Sequence, residues 1–161
     1  MSGLKIRAAT KADGELVYSF VRDLAEYERL LDNIAATQAD IERALFEPNP
    51  RVHCDIAEWD GAAAGFALWF YNFSTFRGRH GIYLEDLFVR PSFRGKGIGK
   101  ALLVHLAGVA LRENCGRFVW QVLDWNEPAL QFYESLGARV LKEWLTMRVE
   151  GDALRRLASL A

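Results

Sequence analysis

Ile82-Tyr83-Leu84-Glu85-Asp86-Leu87-Phe88-Val89 is an apolar run broken by two adjacent acids, and Arg90-Pro91-Ser92-Phe93-Arg94-Gly95-Lys96-Gly97-Ile98-Gly99-Lys100 follows it directly. The first part reads as a strand ending at Val89, and the apolar spacing after Ile98 reads as a helix. Between them lies a short loop rich in glycine and basic residues. Such a loop delivers backbone N–H groups, at the positive end of a helix, to the mouth of a strand, which is a phosphate-binding arrangement. Gly95, Gly97 and Gly99 let the backbone approach an anion with no Cβ in the way. Arg94, Lys96 and Lys100 add positive charge. The segment is expected to hold the pyrophosphate of a nucleotide-type cofactor, with the acidic strand beside it doing chemistry.

Working outward, Leu102, Leu103, Leu106 and Ala110 recur at helical spacing over 98–113, and Asn114-Cys115-Gly116 closes the helix. Residues 118–123 read as another strand. A strand–helix–strand run of this length implies a right-handed crossover, with strands 82–89 and 118–123 parallel neighbours. Ligands of open sheets bind outside the carboxyl ends of such strands, where both the glycine loop and Asp124-Trp125-Asn126 fall. Asn126-Glu127-Pro128 opens a short helix that Gly137 ends, Pro being tolerated in a first turn. Residues 140–149 read as one bent strand or a hairpin, and 151–160 as a final amphipathic helix.

Upstream, 4–9 alternates as a half-buried strand. Two capping boxes, Thr10-Lys11-Ala12-Asp13 and Thr37-Gln38-Ala39-Asp40, start helices. The first runs to about Leu30 on a face of Leu16, Val17, Phe20, Val21 and Leu24; the second turns Ile41 and Leu45 inward and stops at Pro48 and Pro50. Strands follow at 52–59 and 62–73, joined by the hairpin signal Asp60-Gly61. Residues 74–81 read as a loop bearing Arg77, Arg79 and His80. The sum is a mixed α/β sheet, antiparallel first and then a parallel β-α-β, in a single domain over 1–161.

The composition is that of an ordinary folded domain: 51% apolar, 25% charged, formal net charge −1. It exerts no bulk pull toward nucleic acid or membrane. The start, Met1-Ser2-Gly3-Leu4-Lys5-Ile6, has no apolar leader core, no uncharged run matches a membrane span, and a cytoplasmic location is the expectation. Cys54 and Cys115 form neither a disulfide framework nor a metal motif, and His53 and His105 lack metal-ligand spacing, so no metal is expected.

Glycine loops are common, so spacing decides. The dinucleotide fingerprint needs G-x-G-x-x-G, whereas this chain has G-x-G-x-G. The P-loop needs a hydroxyl after its Gly-Lys, and Gly99-Lys100 is followed by Ala101. What remains is Val89-x-Pro91-x-x-Arg94-Gly95-x-Gly97-Ile98-Gly99, after a strand and opening a helix. It closely resembles the coenzyme A-binding motif of the GNAT acyltransferase superfamily, whose element order also matches nearly the whole chain. The plainer alternative is a solvated basic turn. Tyr83-Leu84-Glu85-Asp86-x-Phe88-Val89, Trp125-Asn126-Glu127-Pro128, Phe132-Tyr133-x-x-x-Gly137-Ala138 and Leu24-Ala25-x-Tyr27-Glu28 further resemble the diamine/polyamine (spermidine/spermine) N-acetyltransferases, a family with members that acetylate thialysine.

The resemblance implies acetyl transfer from acetyl-CoA to a small amine. An aliphatic amine with pKa near 10.4 is neutral in roughly one molecule in 2,500 at pH 7, so deprotonation costs about 4.6 kcal/mol and a base is useful. Glu85 and Asp86 are the candidates, on opposite faces of an ideal pleat. Taken alone they could be a solvated strand end; the resemblance makes Glu85 the base, acting through water, and Asp86 a charge for the cationic substrate. It makes Tyr133 the acid that protonates the departing thiolate, although spacing alone leaves Tyr133 as a border of its helix's packed face. Backbone groups of Leu87, Phe88 and Val89 are expected to pair with the pantetheine arm. Asn126 could hold that arm or simply cap its helix. Ile98 belongs to the cofactor loop with Arg94, Gly95, Lys96, Gly97, Gly99 and Lys100.

Tyr27 and Glu28 match positions that meet the amine. Where the family has an Asp before the motif strand, this chain has Ser74, followed by Arg77, Arg79 and His80. Fewer acids and more bases fit an amino acid-like amine, whose carboxylate those bases would bind, at least as well as a polyamine. Rival readings are acetylation of a protein amine and a non-catalytic acyl-CoA-binding module. The resemblance also implies a homodimer built partly from C-terminal strands, and Trp144-Leu145-x-Met147-x-Val149 is apolar on alternating positions.

Overall fold

Asp60 and Gly61 both take positive φ, +50° and +80°, and close a two-residue turn between β2 (His53–Trp59) and β3 (Ala62–Ser74). Positive φ at both central positions matches the right-handed twist of the flanking strands. The computed structural model describes residues 3–160, and Met1 and Ser2, the start of the segment read above as lacking a leader, lie outside them. Two compact units emerge, Met1–Leu123 and Asp124–Ala161.

The first unit is built on a five-stranded sheet in the order β1 (Leu4–Ala8), β2, β3, β4 (Arg79–Val89), β5 (Phe118–Trp120). The first four strands pair antiparallel and β4 pairs parallel with β5. This is the expected mixed sheet with its parallel β-α-β. α1 (Gly14–Tyr27) and α2 (Gln38–Phe46) cover one face, where Val17, Phe20, Leu24 and Leu45 pack on Cys54, Ile56, Phe66, Leu68 and Phe88. Phe20 and Phe66 stack at 5.2 Å. α3 (Ile98–Arg112) lies on the other face and buries Ile98, Leu102, Leu103, Leu106 and Ala110. There the Trp69 indole donates to buried Asp55 at 2.8 Å, and His105 of α3 reaches the same carboxylate at 3.4 Å.

Local signals work as written in sequence. Thr37 and Asp40 form a reciprocal capping box. Buried Asp13 accepts from the Thr10 N–H and from both arms of Arg7, and the Arg7 guanidinium holds its carboxyl well below the usual range. Asn114 at φ +53° ends α3, with the Cys115 N–H reaching the Ala110 carbonyl at 2.8 Å.

Four boundaries differ from expectation. α1 stops at Tyr27, because Arg29 turns to φ +61° and the Leu30 N–H bonds back to the Ala25 carbonyl, a left-handed cap. The expected loop over 74–81 shrinks, since Ser74↔Arg79 and Phe73↔His80 pair and extend the β3–β4 hairpin. Cross-strand packing, with the Phe73 and His80 rings 5.2 Å apart, overrides the loop-like composition. β5 is three residues rather than six. Finally, 140–149 forms no strand: a strand needs a partner for its backbone, and none of the described strands pairs with it.

The second unit holds α4 (Glu127–Ser135), which ends with Gly137 at φ +90° as expected, and α5 (Gly151–Ala158).

Candidate active site

The glycine loop forms as its composition dictates. Gly95 and Gly97 take φ +76° and +77°, a conformation that costs a residue with Cβ, and Gly97 is the residue before α3. Gly99 is already helical, and a Cβ there would only touch Val89. The first-turn N–H groups of Ile98, Gly99 and Lys100 have no partner within α3 and point out of its positive end. The loop is therefore shaped to receive an anion. Lys96 Nζ stands 5.1 Å over the Trp59 ring, and Lys100 is exposed.

Beside the loop, the β4–β5 ladder runs from Ile82↔Phe118 to Leu84↔Trp120 and stops. From Glu85 to Val89, β4 keeps β3 on one side, while its other side carries no ladder partner among the described strands. The ladder stops beside the stretch of β4 on which an added strand-like ligand would pair. Leu87, Phe88 and Val89 lie on that stretch.

Glu85 and Asp86 correct the sequence reading. Leu68 pairs with Asp86 and the next residue, Trp69, pairs with Leu84, so Glu85 is an extra residue, a β-bulge. The bulge breaks the pleat, so the expected opposite faces do not apply. Asp86 sits opposite Leu68, on the face covered by α1. Glu28, the residue that caps α1, lies close enough to act on it. The Asp86 carboxyl is pushed up to about 7 by burial and by the charges of Glu85 and Glu28. Burial pushes Glu28 up as well. None of the three carboxylates enters an ion pair among the described residues, and no cluster able to hold a metal ion occurs among them. The arrangement favours an organic cation, or a proton taken from one.

Tyr27 stands at the rim of this group, 6.3 Å from the Phe88 ring. The Arg94 guanidinium lies 4.9 Å from the Tyr27 centroid, and its Nε donates to the Val89 carbonyl at 2.9 Å. Arg90 was not singled out in sequence. It donates to Asp23 and to Ser19 Oγ of α1, each at 2.9 Å, and tethers the start of the loop to that helix. Asp23 and Arg90 are 67 residues apart, so no local pattern signals the pair.

Two expected residues belong to the second unit. Asn126 occupies the N-cap position of α4; its carbonyl accepts from Leu130 at 3.0 Å, and its side chain makes no capping bond to the helix. Tyr133 lies within α4, its ring 5.4 Å from that of Phe132. The bases Arg79 and His80 sit at the far end of β4. Seven residues of strand, about 23 Å, separate Arg79 from Asp86, and His80 stands beside Phe73 and Tyr71. Within one chain those bases do not share a small substrate with Asp86.

The structure thus sets a mixed sheet whose fourth strand loses its β5 partner beside a glycine loop at a helix N-terminus. The sequence profile of the acetyltransferase (GNAT) family matches residues 17–138, and the chain belongs to that family. It is 38% identical to the thialysine N-epsilon-acetyltransferase of Sus scrofa, over 98% of this chain and 99% of that protein. It is 31% identical to an L-ornithine N5-acetyltransferase of Arabidopsis thaliana, over 97% and 88%. Among solved structures, an integron cassette protein from V. cholerae superposes with a TM-score of 0.81 at 32% identity, covering 98% of this chain and 99% of that one. The chain is a GNAT acetyltransferase.

Proposed function

We propose that this enzyme transfers the acetyl group of acetyl-CoA to the primary amine of a small cationic molecule. The carrying observation is the trio Glu28, Glu85 and Asp86, without counter-cations among the described residues, beside the open stretch of β4 that leads into the anion loop. The loop 94–100 holds the pyrophosphate on backbone N–H groups of a helix N-terminus. The backbone of Leu87–Val89 takes the pantetheine arm as a sheet edge takes a strand, and Asn126 adds a side-chain contact to it. Asp86 and Glu28 attract the ammonium, with Tyr27 against its aliphatic part.

In the reaction, the ammonium proton passes through a water to Glu85, which is exposed. The free amine nitrogen then attacks the thioester carbonyl and the N–C bond forms; the C–S bond breaks as Tyr133 donates its phenolic proton to the departing sulfur, and the second proton that the nitrogen sheds on becoming an amide returns through water to the Tyr133 phenolate. Transfer is direct, with both substrates bound together. The family match runs from the first compact unit into the second as far as residue 138, which supports one functional domain. Exposed Trp144, Leu145 and Met147, at 73, 85 and 90%, support burial of this stretch in a homodimer. No described helix is long and apolar enough to cross a membrane, in keeping with a cytoplasmic enzyme.

Free-thiol release from acetyl-CoA, measured over thialysine, ornithine, lysine, putrescine, spermidine, spermine and short peptides, tests the reading. The relatives named above favour the amino acid-like amines of the panel. Turnover of peptides alone would replace the small amine by a protein amine. Tight coenzyme A binding with no turnover would leave a binding module.

A further inference from the structure

Arg94 belongs by position to the anion loop, yet its side chain reaches out of it. The guanidinium carbon lies 4.9 Å from the Tyr27 ring centre and 5.4 Å from that of Phe88, while Nε holds the Val89 carbonyl. A planar cation thus fills the corner between the last residue of α1 and the end of β4. Immediately past Tyr27 come Glu28, which caps the helix, and Arg29 at φ +61°, where the helix ends. Arg90, four residues before Arg94, grips the middle of the same helix through Asp23 and Ser19 and lies 4.4 Å over the Phe20 ring. Two arginines from one loop therefore fasten one helix, Arg90 at its body and Arg94 at the end that carries Tyr27 and Glu28.

We infer that Arg94 is a positioning residue that couples the anion loop to amine recognition, by holding the Tyr27 ring against Phe88 in the orientation that receives the amine. The inference rests on the amine acetyltransferase reading above. Lysine at this position keeps the charge but lacks the planar face that stacks on two rings and the fork that also holds a carbonyl.

The test compares R94Q, R94K, Y27L and the R94Q/Y27L pair in steady state, with acetyl-CoA and the best amine of the panel. R94Q is expected to raise the amine KM about two- to fivefold, the equivalent of an exposed cation–π contact, and R94K to recover part of the loss. In the Y27L background R94Q should add nothing to the amine KM, while its effect on the acetyl-CoA KM persists at the same size in both. An amine KM that R94Q leaves unchanged, or raises equally with and without the Tyr27 ring, overturns the inference. Amide hydrogen exchange gives a readout free of turnover: R94Q should speed exchange over residues 26–30 and leave 17–22 as in the wild type. Exchange identical to wild type overturns the coupling. Wild-type enzyme that acetylates no amine, while exchange responds to R94Q, would instead defeat the functional reading and with it the amine role of the contact.

Discussion

Leu84 and Asp86 lie on opposite faces of the sheet, although residues two apart in a strand ordinarily share one. Leu84 pairs with Trp69, on the α3 side, and Asp86 pairs with Leu68, on the α1 side. Glu85 is the extra residue that makes the switch. It places two adjacent carboxylates at the point where β4 loses its β5 partner, within reach of Glu28. Bulges recur beside active sites because they re-aim a side chain without ending the strand.

Asp86 should trade stability for function. Its carboxyl is held up to about 7, against an ordinary 3.8. Between about pH 4 and pH 7 the folded protein therefore keeps a proton that the unfolded chain has released. Stability falls as pH rises through that window and is level above it. Asp86→Asn removes the cost. Urea titrations should find the variant more stable than wild type at pH 8, by an amount on the order of a few kcal/mol at ~1.4 kcal/mol per pH unit, with the difference vanishing near pH 4. The same variant should raise the KM of a cationic amine about ten- to a hundredfold. Equal stability at pH 8 would refute the strained carboxylate.

Glu85→Gln should lower kcat about a hundredfold or more and flatten the acidic limb of the pH–rate profile. An unchanged profile would remove Glu85 as the base. Flattening by Asp86→Asn in place of Glu85→Gln would hand that role to Asp86.

Tyr133→Phe should cut kcat by roughly 10²–10⁴-fold, the usual worth of a positioned acid, while acetyl-CoA still binds by calorimetry. Full turnover in the variant would exclude Tyr133 as the acid.

Gly61→Ala and Gly95→Ala separate strain from function. Both glycines have positive φ, and a Cβ at either meets open space, so each substitution should cost ~1–2 kcal/mol of stability by backbone strain alone. Gly95→Ala should in addition raise the acetyl-CoA KM, because the loop must keep its shape around the pyrophosphate. A Gly61→Ala variant as stable as wild type would show that the turn relaxes.

Light scattering at micromolar protein should show a dimer. A monomer would mean that Trp144, Leu145 and Met147 stay in water.

Much of this protein is local and so is written in the chain. Capping boxes, the Asp60-Gly61 turn, the anion loop and the order of strands and helices each depend on a few neighbouring residues whose own conformational preferences decide them. The family follows from the loop's spacing and the motifs around it. What only the tertiary structure decided are the relations between distant segments. The bulge at Glu85 exists because two positions of β3 are matched by three of β4, which no single strand reveals. The rise in the Asp86 carboxyl comes first from burial under distant segments, then from Glu85, and is added to by Glu28, some sixty residues earlier. The grip of Arg90 on Asp23, and of Arg94 on Tyr27, is likewise a contact across sequence. Alternation over 140–149 records an apolar face but cannot supply the partner a strand requires. Local preference is a property of residues and survives in the sequence, whereas pairing, burial and charge proximity are properties of places that exist only once the chain has folded.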